Sequence, residues 1–160
     1  MKRSLQFAAI ALLVIAGSSI LRAQTNPLVG TWKLNTEKSK YDPGPAPKSL
    51  TRTVEAEGTG VKYSFEGVSA DGKPVSYGFS VKFDGKDNPI SGSMPGDDAD
   101  AISAKRVDSH HYVATLKKGG KVIGTAKVAV SKDGKVTAVD ANSTNAAGAN
   151  EHEVQVYDKQ

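Results

Sequence analysis

Val75-Ser76-Tyr77-Gly78-Phe79-Ser80-Val81-Lys82-Phe83 alternates large apolar residues with small or polar ones along its whole length. Successive side chains of a β-strand point to opposite faces. The spacing therefore puts Val75, Tyr77, Phe79, Val81 and Phe83 on one apolar face. Wound as a helix, the same residues would spread around the whole cylinder and leave no polar side. The stretch reads as a half-buried strand, and Val61-Lys62-Tyr63-Ser64-Phe65 repeats its pattern upstream. Turn signals punctuate the chain on either side: Asp71-Gly72-Lys73, Asp84-Gly85-Lys86 and Asp133-Gly134-Lys135 carry the Asp-Gly pair of tight hairpins, and Gly58, Gly60 and Gly119-Gly120 serve the same end. Between these marks the pattern predicts strands near 28–35, 49–57, 60–67, 74–83, 101–107, 111–117, 121–131, 135–142 and 151–158. Short strands joined by tight turns make an antiparallel meander. An all-β, up-and-down sheet of about 8–10 strands hides its edges most economically by closing into a barrel, with a two-sheet β-sandwich as the alternative.

Two segments break the rhythm. Tyr41-Asp42-Pro43-Gly44-Pro45-Ala46-Pro47 carries three prolines in five residues, which argues against a ladder or a helix and predicts a stiff surface connection over 36–48. Residues 87–99, with Pro89, Gly92, Pro95, Gly96 and Asp97-Asp98, form a second irregular stretch. Long loops of a compact domain often carry function, and these two are the expected lip of a barrel mouth.

The chain opens with Met1-Lys2-Arg3, an apolar run from Phe7 to Ala16, and the small residues Gly17-Ser18-Ser19 ahead of Arg22-Ala23. This is the layout of a secretory signal peptide, and the 15 residues from Phe7 to Leu21 fall short of the roughly 20 that span a bilayer. The expected organisation is a signal peptide over 1–23, cleaved after Ala23 or alternatively after Ser18, and a single domain over 24–160. The mature chain should be periplasmic or secreted, monomeric and free of any membrane span. The composition of 21 Lys plus Arg against 17 Asp plus Glu looks basic at +4. Removing Lys2, Arg3 and Arg22 leaves 18 against 17, so the sequence pI of 9.2 overstates the charge of the mature domain. Net +1 is a poor footing for phosphate-backbone binding, and no nucleic-acid partner is expected. Zero cysteines exclude a disulfide framework, a thiol nucleophile and a lipidated N-terminal Cys.

Few residues suggest chemistry. His110-His111 and His152 are the chain's three histidines. Adjacent strand residues point to opposite faces, so His110 and His111 fit the edge of a hairpin beside Asp108-Ser109 better than a shared metal. Asp97-Asp98-Ala99-Asp100 lacks the spacing of a calcium loop and reads as a solvated acidic loop. Lys117, Lys118 and Lys121 read as a solvated turn. Glu55, Glu57 and Glu66 show no acid–base pairing, and no nucleophile elbow, phosphate loop or dinucleotide fingerprint is present. No catalytic residue, metal or cofactor is expected. The expected pocket wall, or packed core, is Tyr63, Phe65, Tyr77, Phe79, Phe83 and Val128. Gly124 and Ala126 supply small residues on one face of Val122-Gly124-Ala126-Val128-Val130, which either interdigitate with the aromatics or leave room. A barrel of about eight strands is just wide enough to be filled or to hold one small ligand.

Pro27-Leu28-Val29-Gly30-Thr31-Trp32-Lys33-Leu34-Asn35 resembles the opening strand of lipocalins and fatty-acid-binding proteins, calycin families that begin with a Gly-x-Trp element, here Gly30-Thr31-Trp32. Val154-Gln155-Val156-Tyr157-Asp158-Lys159 is similar to the closing strand of fatty-acid-binding proteins, and Trp32-Lys33-Leu34-Asn35 followed by Lys38-Ser39-Lys40-Tyr41 resembles small secreted bacterial proteins described as lipocalin-like. The resemblance implies a calycin-type barrel with Gly30 and Trp32 at its base and a small hydrophobic or amphipathic ligand in its interior. Two departures stand out. Lipocalins lay an Arg from near the last strand over the Trp, and no Arg follows Arg106 here. Fatty-acid-binding proteins insert two helices after the first strand, where this chain has its prolines. The other functional classes are a structural or interaction barrel with a filled core that works through its loops, and, third, an enzyme at the barrel mouth.

Overall fold

Hydrogen-bonded pairing joins the two ends of the chain within the sheet: Trp32 of the first strand faces Arg52 of the next long strand on one side and Lys159 of the last strand on the other. The computed structural model describes residues 26–96 and 99–160; the expected signal peptide and Asp97-Asp98 lie outside the described residues. The strands are β1 (Gly30–Leu34), β2 (Lys40–Asp42), β3 (Ser49–Glu57), β4 (Gly60–Val68), β5 (Pro74–Val81), β6 (Asn88–Pro89), β7 (Ser91–Ser93), β8 (Ala101–Arg106), β9 (His111–Lys118), β10 (Lys121–Val130), β11 (Val136–Thr144) and β12 (Asn150–Lys159). All pairings are antiparallel and belong to one sheet, in the order β6-β8-β9-β10-β11-β12-β1-β3-β4-β5-β7. The two edges of this sheet, β5 with β7 and β6 with β8, lie side by side, so the sheet curls into a nearly closed barrel, and the sandwich alternative does not hold.

The nine predicted strands are present, and the irregular segments hold three more. Lys40–Asp42 pairs with β12 immediately before the first proline, which corrects the expectation that 36–48 is only a surface connection. The prolines forbid pairing only from Pro43 onward. The stretch after β5 straddles the barrel's seam: β7 pairs with β5, β6 pairs with β8, and an isolated bridge joins Asp84 to Lys105. The loop expected at the mouth is therefore a clasp between the two open edges.

Two face assignments change. Phe83 lies beyond β5 in a left-handed conformation (φ 59°), so it is not the fifth residue of that strand's apolar face, although its ring still turns inward against Tyr112 at 4.9 Å. In β10 a bulge between Val122 and Gly124 shifts the register, which leaves Val122 52% exposed while Ala126 and Val128 face the interior.

The core is densest at the β1 end, where Leu28, Trp32, Val61 and Tyr157 are fully buried. Gly30 explains the Gly-x-Trp spacing. Its φ of +140° is disfavoured for any residue with a Cβ, and a Cβ there would lie 2.6 Å from Lys159 Cε. Trp32 Nε1 donates to Leu28 O at 2.8 Å, fixing the chain's entry beneath the barrel.

Candidate functional site

The interior is divided between two unlike walls. On β4 and β5, Tyr63 faces Phe79 and Phe65 faces Tyr77 across the register. The Phe65 and Tyr77 rings stack at 4.4 Å and 7°, and the Tyr63 and Phe79 rings lie tilted by 32° at 4.9 Å. On the opposite side the register aligns Ala104, Ala114, Ala126 and Ala141 in one row across β8, β9, β10 and β11. Four methyls in line cannot reach the aromatic wall, and a cavity of about 140 Å³ lies between them. All six expected wall residues, Tyr63, Phe65, Tyr77, Phe79, Phe83 and Val128, line it, joined by Met94, Ile102 and Leu116. A larger concavity of about 540 Å³ is an open groove on the outer face of β4, β5 and β7, lined by solvent-facing residues such as Lys62, Glu66 and Ser76. Burial and convergent side chains favour the interior as the site.

At the base of the cavity sits a residue that the sequence reading missed. Arg52 on β3 is 3% exposed. Its guanidinium carbon lies 4.3 Å from the Tyr157 ring and 5.3 Å from the Trp32 ring. The cation over the tryptophan thus comes from the strand beside Trp32 rather than from the end of the chain. Desolvated cation–π contacts are worth up to about 2 kcal/mol. Burial lowers the Arg52 pKa, and the nearby Tyr157, Tyr63 and Tyr77 oppose that. A delocalised guanidinium nevertheless stays charged near neutral pH. Its Nε and Nη2 are buried and meet no protein acceptor. The signal that would have found Arg52 is its own strand's alternation: Leu50, Arg52 and Val54 share one face, and Leu50 and Val54 are core.

Polar groups cluster around this pole. Tyr157 Oη donates to Gln155 Oε1 at 2.8 Å, and Gln155 Nε2 donates to Glu153 Oε2 at 2.6 Å; Gln155 and Glu153 both line the cavity. Burial pushes the Tyr63 hydroxyl up to about 12, with Arg52 pulling the other way. Burial likewise raises Tyr157, and it raises Tyr77 with help from Tyr157 and Glu153. Tyr41 of β2 has a buried hydroxyl with no protein partner. The tyrosine hydroxyls among them are held neutral around the buried Arg52 cation.

The other residues singled out in the sequence lie elsewhere. Asp108 accepts from the His110 and His111 backbone N–H groups at 2.8 and 2.9 Å and pairs with His111 Nδ1 at 2.8 Å, capping the β8–β9 hairpin. His152 pairs with Asp140 on another hairpin, so the three histidines are not gathered. Asp100 accepts from Gly119 N at 2.9 Å, and Lys117 reaches Asp87 at 2.8 Å. Glu55, Glu57 and Glu66 lie on exposed positions of β3 and β4.

No protein-family model matches the chain, and no curated protein matches it either. Among solved structures it is similar to zebrafish ileal bile acid-binding protein complexed with cholic acid, at 13% identity and a TM-score of 0.52 over 84% of this chain and 99% of that one. The fold is a fatty-acid-binding-protein-like barrel. Weaker likenesses are a redesigned β-barrel bound to DFHBI (11% identity, TM-score 0.45, 83% of this chain and 95% of that one) and lobster apocrustacyanin A1 (10% identity, TM-score 0.44, 86% of this chain and 63% of that one).

Proposed function

We propose that the chain is an exported, non-enzymatic barrel whose mature form binds a small apolar or amphipathic molecule in its interior. The observation that carries this reading is the cavity of about 140 Å³ between the aromatic wall and the alanine row. A water occupies about 30 Å³ of liquid, and a lined void of about 150 Å³ accommodates benzene. A barrel whose core is packed to perform a purely structural role would leave room for one or two waters at most. Apolar ligand surface entering this space gains about 25 cal/mol per Å² removed from water. The size suits a ligand of one ring, smaller than the drug-sized molecules that need roughly 300 Å³ or more. That the similar zebrafish barrel is complexed with cholic acid supports small-molecule binding as a use of this fold. Export rests on the cationic and apolar layout of residues 1–23.

Toluene, followed by saturation-transfer NMR, tests the binding. Saturable uptake that Ala126→Phe abolishes, with the variant still folded by circular dichroism, is the expected result. No saturable uptake by the parent protein rejects the reading. Sequencing the N-terminus of the product made from the full gene tests export: a chain starting at Gln24 or Ser19 is expected, and an intact Met1 refutes cleavage.

A further inference from the structure

The outer face of β9 to β12 carries a pattern that interior binding does not use. Alternation turns Lys127 and Ala129 of β10, and Ala138 and Asp140 of β11, away from the cavity that Ala126, Val128, Val139 and Ala141 line. Ala129 and Ala138 stand opposite each other in the ladder and floor an apolar hollow of about 400 Å³. Val113 and Val107 border the hollow, 37% and 65% exposed. They are two of the three large apolar side chains exposed among the described residues, the third being Val122 further along β10. A single exposed valine is ordinary, whereas two beside one apolar hollow mark a contact surface.

The strand register indicates what fits that surface. Across β9, β10, β11 and β12 one row reads Val113, Lys127, Asp140 and Val154. A two-fold axis lying in the plane of the face, along the line between β10 and β11, exchanges β10 with β11 and β9 with β12. A second copy packed face to face about this axis sets Lys127 against Asp140 twice over, Val113 against Val154, and Ala129 against Ala138. The row is therefore complementary to itself, which is the requirement for an isologous contact. Lysine is long enough to meet a carboxylate across the roughly 10 Å between packed sheets. Lys127 has no ion pair among the described residues, and Asp140 engages His152 through Oδ1.

We propose that this face is a self-association surface and that the mature chain pairs with a second copy through it, in place of the monomer expected from the sequence. Four strands about 4.8 Å apart and at most about 34 Å long span less than the roughly 800 Å² per partner of a standard interface. The dimer is accordingly a weak one, with a dissociation constant above about 1 μM.

Sedimentation equilibrium of the mature protein and of two charge variants tests the assignment. The parent should show a dimer fraction that rises with concentration up to about 1 mM. Lys127→Asp and Asp140→Lys should each abolish the dimer, because like charges then meet twice across the two-fold axis. An equimolar mixture of the two variants should associate again, because each copy then offers the other only opposite charge. Should either charge variant lose its far-UV β spectrum, Ala138→Arg, which fills the hollow from its floor, takes its place and should be monomeric. A parent that stays monomeric throughout overturns the proposal; if it also sediments with phosphatidylserine vesicles, the face is assigned to a lipid surface instead. A dimer that survives these substitutions lies on another face and overturns the proposal as well. Two monomeric charge variants that fail to associate when mixed overturn the axis between β10 and β11, and with it the pairing.

Discussion

Replacing Trp32 by alanine tests the account of the barrel base most directly. The indole is fully buried. It donates its N–H to Leu28 O at 2.8 Å and lies beneath two cations, Arg52 at 5.3 Å and Lys159 at 5.0 Å. Deleting a buried tryptophan side chain from a packed core costs about 3–5 kcal/mol through lost transfer energy and the void it leaves. Leaving the Leu28 carbonyl buried without a donor adds about 1 kcal/mol or more. Arg52 keeps the nearer Tyr157 ring, so only part of its cation–π stabilisation is lost. The combined loss is about 5 kcal/mol. At about 4 °C per kcal/mol for a domain of this size, the melting temperature should fall by about 20 °C. Urea unfolding followed by far-UV circular dichroism measures the change, since the chain's one tryptophan is the residue removed. Because 5 kcal/mol is comparable with the whole stability of many domains, roughly 5–15 kcal/mol, Trp32→Phe is measured alongside it. Phenylalanine retains a ring over which the cations sit but lacks the donor, and should cost about 1–3 kcal/mol. A loss under about 1 kcal/mol for Trp32→Ala, the range of surface substitutions, would refute the assignment of Trp32 to a buried base.

Phe79→Ala, at a half-buried position on the cavity wall, should cost less stability than Trp32→Ala while weakening toluene uptake. A larger loss than Trp32→Ala, with no toluene binding in the parent protein, would show that Phe79 is packing alone. Raising the pH should unfold the barrel through its buried tyrosines: Tyr63 keeps its proton to about 12 in the fold but releases it near 10 in the unfolded chain. Stability is therefore intact below pH 10 and falls between pH 10 and 12 by about 1.4 kcal/mol per pH unit for each such group, with Tyr157 and Tyr77 adding to the slope. Ultraviolet titration should show tyrosinate forming together with loss of the β spectrum. Ionisation of all five tyrosines near pH 10 in a still-folded protein would contradict this. Ala141→Leu should fill the gap, abolish toluene binding and leave the far-UV spectrum unchanged; retained binding would place the ligand elsewhere.

The alternation of Val75 to Val81 and of Val61 to Phe65, together with the Asp-Gly turns, was enough to determine nine strands, their antiparallel order and the inward face of the aromatic pairs. Those signals are local. A side chain's face follows from its parity along one strand, and a tight turn follows from the two residues that make it. Parity failed at the bulge after Val122, because one extra residue reverses the faces without changing the apolar count, whereas the left-handed Phe83 lies beyond its strand yet still turns its ring inward. The prolines mask β2 in the sequence, because they forbid pairing only from Pro43 onward. The rest depended on long-range pairing. The alternation of β3 puts Arg52 on the inward face, but only the pairing of β1 with β3 places it against Trp32, in a space closed by Tyr157 from the last strand. Likewise, Ala104, Ala114, Ala126 and Ala141 are four scattered small residues until the registers of β8 to β11 bring them into line. The sequence determined which residues face inward. Only the closed sheet decided which of them face one another, because opposition across a barrel is set by strand register and by the seam, and neither is encoded within any single strand.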